Sequence, residues 1–76
     1  MHQPTLRVLR VLEYMTRHRS DQRLADLSRG LQIPKSTLIP ILQTLCACNY
    51  LKQEENGRYS IGTAGFFLEK THFDSF

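Results

Sequence analysis

Lys35, Ser36 and Thr37 place a cation and two hydroxyls side by side, ahead of an apolar helical pattern. At the start of a helix, such groups and the free backbone N–H groups can bind phosphate oxygens or base edges. Gln43 and Thr44 lie one to two helical turns further on. A Gln amide can bond an adenine edge, and a Thr methyl can contact thymine. Each has a plainer alternative: Ser36 or Thr37 can simply cap a helix, and Gln43 and Thr44 can be ordinary exposed positions.

Arg58 directly follows Asn56-Gly57, a dipeptide typical of hairpin turns. An Arg at that point can reach a phosphate or a minor groove, or it can be a solvated side chain at the end of a hairpin. Glu54 and Glu55 precede it and would repel phosphate, so we expect the hairpin tip not to enter a groove deeply. The predicted DNA-binding residues are Lys35, Ser36, Thr37, Gln43, Thr44 and Arg58.

Catalytic and metal-binding patterns are not found in the sequence. There is no Ser-His-Asp grouping, no pair of carboxylates in an apolar setting and no Gly-rich phosphate loop, so we predict that the chain is not an enzyme. The three histidines share no ligand spacing, and we expect no cofactor and no metal. Cys46 and Cys48 stand two apart within a helical pattern, which predicts free thiols in a reducing cytoplasm.

Composition favours a small globular domain with an acidic partner. Ten Lys and Arg against seven Asp and Glu give the 76 residues a net charge of +3. This excess suits nucleic acid without proving it, since many other domains carry the same charge. No apolar run approaches the length of a membrane span, and the first residues do not resemble a secretion signal.

The candidate residues must be positioned by three helices and a hairpin. Apolar periodicity predicts helices over residues 5–17 and 24–31, and a third that begins within 34–37 and runs to about 48. In the first helix the predicted apolar stripe consists of Leu6, Leu9, Leu12 and Met15, widened by Val8 and Val11. Asn49 is placed to end the third helix in a left-handed conformation.

Two short strands are predicted at residues 50–53 and 58–61, separated by Glu54-Glu55-Asn56-Gly57. Two helices joined by a three-residue link and followed by a hairpin form a winged helix-turn-helix, which is mainly α with a small β-hairpin. Its second helix enters the major groove of DNA, and the hairpin lies beside it as a wing. We expect this domain to occupy residues 1–62. Residues 63–76, with an apolar cluster at Phe66, Phe67 and Leu68, are expected to start a linker helix or dimerisation segment.

Four short segments, in this order and spacing, resemble the IclR family of bacterial transcriptional regulators. They are LQIPKSTL at residues 31–38, ILQTL at 41–45, NYL at 49–51 and NGRYSIG at 56–62. The resemblance implies sequence-specific binding of double-stranded DNA at a palindromic operator by a cytoplasmic homodimer or higher oligomer. Family members usually continue into an effector-binding domain. We therefore expect that this chain is either a piece of a longer protein or a short relative. We expect it to respond to an effector ligand only if such a domain follows.

The chain departs from the family pattern at four positions. Ser28 and Gln32 stand where the family favours Ala and Gly, and Arg23 stands where Thr or Ser commonly caps a helix. Pro40 stands where the family usually carries an Arg in the recognition helix. We expect the helix either to kink at Pro40 or to begin later, with Thr37 as its cap. The loss of this Arg supports an alternative function, a protein-interaction module with a winged-helix fold and weakened DNA binding.

Overall fold

The computed structural model describes residues 1–18 and 21–65. Helices α1 (Gln3–Arg17), α2 (Leu24–Leu31) and α3 (Lys35–Ala47) are followed by strands β1 (Leu51–Gln53) and β2 (Tyr59–Ile61). This order confirms the predicted three helices and hairpin. No helix within the described ranges is long and apolar enough to cross a lipid bilayer.

Helix α1 begins two residues before the predicted start, with His2 as its N-cap. Its buried residues are Val11 and Met15, and Val8 and Leu12 pack beside them. Leu9 was predicted to share this face but is 51% exposed. The reason is geometric: a three-residue repeat drifts around a helix of 3.6 residues per turn, so a run of leucines at that spacing cannot stay on one face.

Helix α2 has the predicted bounds, and Leu27 and Leu31 face the core. It ends at Gln32, where the family favours Gly, and the Gln32 φ of 56° is left-handed. The Gln32 and Ile33 N–H groups both donate to the carbonyl of Ser28, the second over 3.2 Å. The Ser28 hydroxyl donates in return to the Ile33 carbonyl at 2.7 Å. These bonds close the turn that sets the direction of α3.

Helix α3 begins at Lys35 with Pro34 as its N-cap, so the alternative start at Thr37 is wrong. The first helical bond runs from the Leu38 N–H to the Pro34 carbonyl at 3.0 Å. Pro40 lies inside the helix, which continues to Ala47. Asn49 ends the segment with a φ of 65°, as predicted.

The hairpin pairs Leu51 with Ile61 and Gln53 with Tyr59, each strand starting one residue later than predicted. Gly57 donates its N–H to the Glu54 carbonyl at 2.9 Å and has a φ of 83°. This is a type I turn closed by a left-handed glycine, the common three-residue hairpin loop.

The hairpin is joined to the helices by Gln22, which lies between α1 and α2. Gln22 and Tyr59 exchange two backbone hydrogen bonds of 2.9 and 2.7 Å, an antiparallel bridge on the outer edge of β2. After β2 the chain passes so close to the end of α3 that a Cβ at Gly62 would collide with the Asn49 carbonyl. A helical turn begins at residues 63–65. The predicted apolar cluster at residues 66–68 lies outside the described residues.

Candidate nucleic-acid interface

The outward face of α3 is defined by the side chains that the helix buries. Leu38, Leu42 and Leu45 face the core. At 100° per residue, the opposite side carries a stripe at every third or fourth position. The exposed residues of this stripe are Ser36, Pro40, Gln43 and Ala47. Ile39 and Thr44 are also exposed and lie at its edges. The α3 outward face therefore combines two hydrogen-bonding side chains with an apolar centre.

At the amino end of α3, the polar side chains make no hydrogen bond or ion pair with any described residue. Lys35 and Ser36 are exposed, and Thr37 is half-buried. Pro34 offers no side-chain cap, and neither hydroxyl makes a capping bond, so the plainer alternative that Ser36 or Thr37 caps the helix is wrong. The first N–H groups of a helix have no intrahelical acceptor, although that of Thr37 donates to the Pro34 carbonyl at 3.0 Å. The N–H groups of Lys35 and Ser36 remain available to an anion.

The side chains of Gln43 and Thr44 differ in the hydrogen bonds that they make within the domain. Both are exposed. The Gln43 amide makes no hydrogen bond to any residue that the structure describes. The Thr44 hydroxyl donates to the Pro40 carbonyl at 2.9 Å. Its hydrogen is therefore used within the helix, while its methyl group stays free for an apolar contact.

Arg58 is the one predicted contact that does not lie on α3. Its backbone N–H donates to the Asn56 side chain at 3.0 Å, and its carbonyl accepts from the Glu54 N–H at 2.8 Å. These bonds fix the backbone just after the turn. The guanidinium has no carboxylate partner within the described ranges. By contrast, Lys52 on β1 lies 3.8 Å from the Glu54 carboxylate, which also accepts from the Ser60 hydroxyl at 3.3 Å.

Two arginines outside α3, Arg10 and Arg29, have structural contacts. Arg10 of α1 donates to the carbonyl of Leu31 at 2.6 Å, which satisfies the last carbonyl of α2. Arg29 pairs with Asp26 at 2.8 Å, and Asp26 also accepts the Arg23 N–H at 3.1 Å. The Arg10 contact spans 21 residues, so no local sequence signal could have indicated it.

Tyr50, Tyr59 and Cys46 near the hairpin pack in or against the core, whereas Cys48 is exposed. Tyr59 is buried in the core, and Tyr50 packs against the core. Burial raises the pKa of the Tyr59 hydroxyl, and the nearby Cys46 adds to this effect. Cys46 and Cys48 are free thiols, as predicted, and burial raises the pKa of Cys46. No group of three His, Cys, Asp or Glu suited to a metal ion occurs among the described residues.

Comparison with known proteins identifies the family. The model of the IclR helix-turn-helix domain matches residues 4–55, which is most of the chain. The chain belongs to the IclR helix-turn-helix family. This IclR-type domain is a DNA-binding domain of transcriptional regulators, and the matches do not favour the alternative of a protein-interaction module.

One relative and one solved structure extend the comparison. The HTH-type transcriptional regulator XynR of Escherichia coli (strain K12) is 32% identical over 68 residues, covering 88% of this chain and 26% of the relative. The crystal structure of the Agobacterium tumefaciens repressor BlcR matches with a TM-score of 0.75 at 22% identity. That match covers 91% of this chain and 28% of BlcR, and it confirms the winged-helix fold. The IclR-type domain thus spans about a quarter of the length of these relatives.

Proposed function

We propose that the chain is the operator-reading domain of a transcriptional regulator and binds a specific duplex DNA sequence. The observation that carries the proposal is the α3 outward face, where Ser36 and Gln43 present side chains that no described residue bonds. Unpartnered polar groups on the second helix of a helix-turn-helix suit a helix that lies in the major groove.

Each predicted residue has a role in this complex. Lys35, Ser36 and Thr37 contact phosphate and base edges at the amino end of α3. Gln43 bonds an adenine edge through its amide, and the Thr44 methyl contacts thymine. Arg58 reaches a phosphate or the adjacent minor groove from the wing.

The proposal extends to the assembly. The domain acts in the cytoplasm as part of a homodimer or higher oligomer on a palindromic operator, because two-fold protein symmetry requires two related half-sites. Residues 1–62 form the DNA-binding domain, and residues 63–76 lead toward the dimer contact. An effector ligand would be bound by a further domain.

Binding of labelled duplexes, followed by fluorescence anisotropy across a salt titration, tests the proposal. With about three to five phosphate contacts, the slope of log K against log salt should be about −3 to −5. A duplex enriched from a random library should bind more tightly than an unselected duplex of equal length. A flat salt response, or no preference among sequences, would contradict the proposal.

A further inference from the structure

Ile39 and Pro40 are adjacent apolar residues midway along α3, Pro40 on the α3 outward face and Ile39 at the edge of that face; we call this pair the apolar centre. Ile39 is 40% exposed, and Pro40 is also exposed, so neither belongs to the core built by Leu38 and Leu42. Gln43 follows Ile39 by four residues and Pro40 by three. On a helix surface these spacings make the side chains neighbours.

The chemistry of the apolar centre excludes hydrogen-bonded contacts to bases. Neither Ile39 nor Pro40 can donate or accept a hydrogen bond through its side chain, and Pro40 also lacks a backbone N–H. In the major groove the apolar group of a base is the 5-methyl of thymine. Helix α3 contains no Arg, and it contains no Lys after Lys35. The usual donors to guanine O6 and N7 are therefore missing from the centre of the helix.

We infer that Ile39 and Pro40 are specificity-determining residues that contact thymine methyl groups, so that the centre of α3 selects A·T base pairs. The inference rests on the proposed function, because it places α3 in the major groove. Gln43 complements the apolar pair, since its amide suits adenine, the base that pairs with thymine. Together the three side chains favour A·T over G·C pairs, because G·C pairs lack both the thymine methyl and the adenine N6 amino group.

The experiment begins with the duplex that the 76-residue chain enriches from a random library. Each thymidine in that duplex is replaced in turn by deoxyuridine, which removes only the 5-methyl group. At one or two positions per half-site we expect Kd to rise about fourfold, the change that corresponds to about 0.8 kcal/mol for burying one methylene-sized group. Positions outside the groove face of α3 should show no change.

Variants then assign the sensitive positions. Ile39→Ala and Pro40→Ala should each bring the ratio of Kd for uridine to Kd for thymidine close to one at the position that the residue contacts. Thr44→Ser removes only the Thr44 methyl group, so the position at which it abolishes uridine sensitivity is the separate thymine contact of Thr44. Leu9→Ala is the matched control, because Leu9 is an apolar residue of α1 with 51% exposure and lies off α3. It should leave every ratio unchanged.

The outcomes separate the inference from the proposed function. Absence of salt-dependent, sequence-selective binding overturns both and would leave the apolar centre to a protein partner. Tight selective binding with no sensitivity to uridine overturns only the inference, as does an enriched sequence with G·C pairs opposite the centre of α3. Unchanged uridine sensitivity in both Ile39→Ala and Pro40→Ala also overturns it.

Discussion

The Ser28 hydroxyl donates a 2.7 Å hydrogen bond to the carbonyl of Ile33, across the turn between α2 and α3. The Ile33 N–H bonds back to the Ser28 carbonyl at 3.2 Å, so the two residues close the turn in both directions. Gln32 between them is held at a φ of 56°, a conformation that costs a non-glycine residue about 1 kcal/mol. The Ser28 hydroxyl adds a bond that the family's usual Ala cannot make.

Ser28→Ala should lower the free energy of unfolding by about 0.5–1.5 kcal/mol, because the Ile33 carbonyl loses its partner. The higher helix propensity of Ala offsets part of this loss. For a domain of this size the melting temperature should fall by roughly 4–8 °C per kcal/mol. Thermal and urea unfolding followed by circular dichroism measure the change.

The matched control for that variant is Ser36→Ala. Ser36 is also a helical serine, but it is exposed and its hydroxyl has no described partner. Its replacement should leave stability unchanged or slightly higher while it weakens DNA binding. Equal stability of Ser28→Ala and the wild type would show that the turn does not depend on the hydroxyl.

Pro40→Ala should stabilise the fold. Pro40 is the sixth residue of α3, and its missing N–H removes the bond that residue 40 would donate to the Ser36 carbonyl. A proline inside a helix costs up to about 3 kcal/mol relative to Ala. We expect a gain of about 1–3 kcal/mol in the free energy of unfolding, measured by urea denaturation. An unchanged or lower stability would mean that the helix is fitted to the proline.

Pro40→Arg should gain similar stability and tighten DNA binding overall, since it restores a cation to the α3 outward face, although it loses the thymine-methyl contact inferred for Pro40. Its salt slope should become steeper by about one, whereas Pro40→Ala leaves the slope as it is. The comparison separates the backbone effect from the charge. Tighter binding without a steeper slope would contradict the electrostatic explanation.

Arg58→Ala should weaken DNA binding by about 1 kcal/mol or more and reduce the salt slope by about one, with the fold intact. Its guanidinium has no described ion-pair partner, so its whole charge is available to a phosphate. Lys52→Ala is the control on the same hairpin, because Lys52 lies 3.8 Å from the Glu54 carboxylate. We expect a smaller loss for Lys52→Ala. Unchanged affinity of Arg58→Ala at low salt would show that Arg58 is only a surface charge.

Cys48 should react with iodoacetamide faster than Cys46 in the folded chain. Cys48 is exposed, whereas burial raises the pKa of Cys46 and leaves less of the reactive thiolate at neutral pH. Peptide mass spectrometry after short exposures measures both rates. In denaturant the two rates should converge, and equal rates in the native state would contradict the buried position of Cys46.

Much of this fold is predictable from local sequence because local geometry determines it. The apolar spacing of α2 gives its bounds, Asn49 adopts the left-handed conformation predicted at the end of α3, and Gly57 closes the hairpin turn. In each case a side chain or its absence restricts φ and ψ within a few residues. The same local patterns placed five of the six predicted DNA-binding residues on one helix. Their contact with DNA remains a prediction.

Only the tertiary structure decided which residues of each helix are buried and which are exposed. Leu9 looks apolar enough for the core but is exposed, because α2 and β2 cover a different side of α1. The Arg10 bond to Leu31 and the bridge between Gln22 and Tyr59 join residues far apart in sequence. Such contacts depend on how the chain packs as a whole and leave no periodic pattern behind. The outward position of Ile39 and Pro40 follows from the same packing, since burying Leu38 and Leu42 determines which side of α3 remains for a ligand.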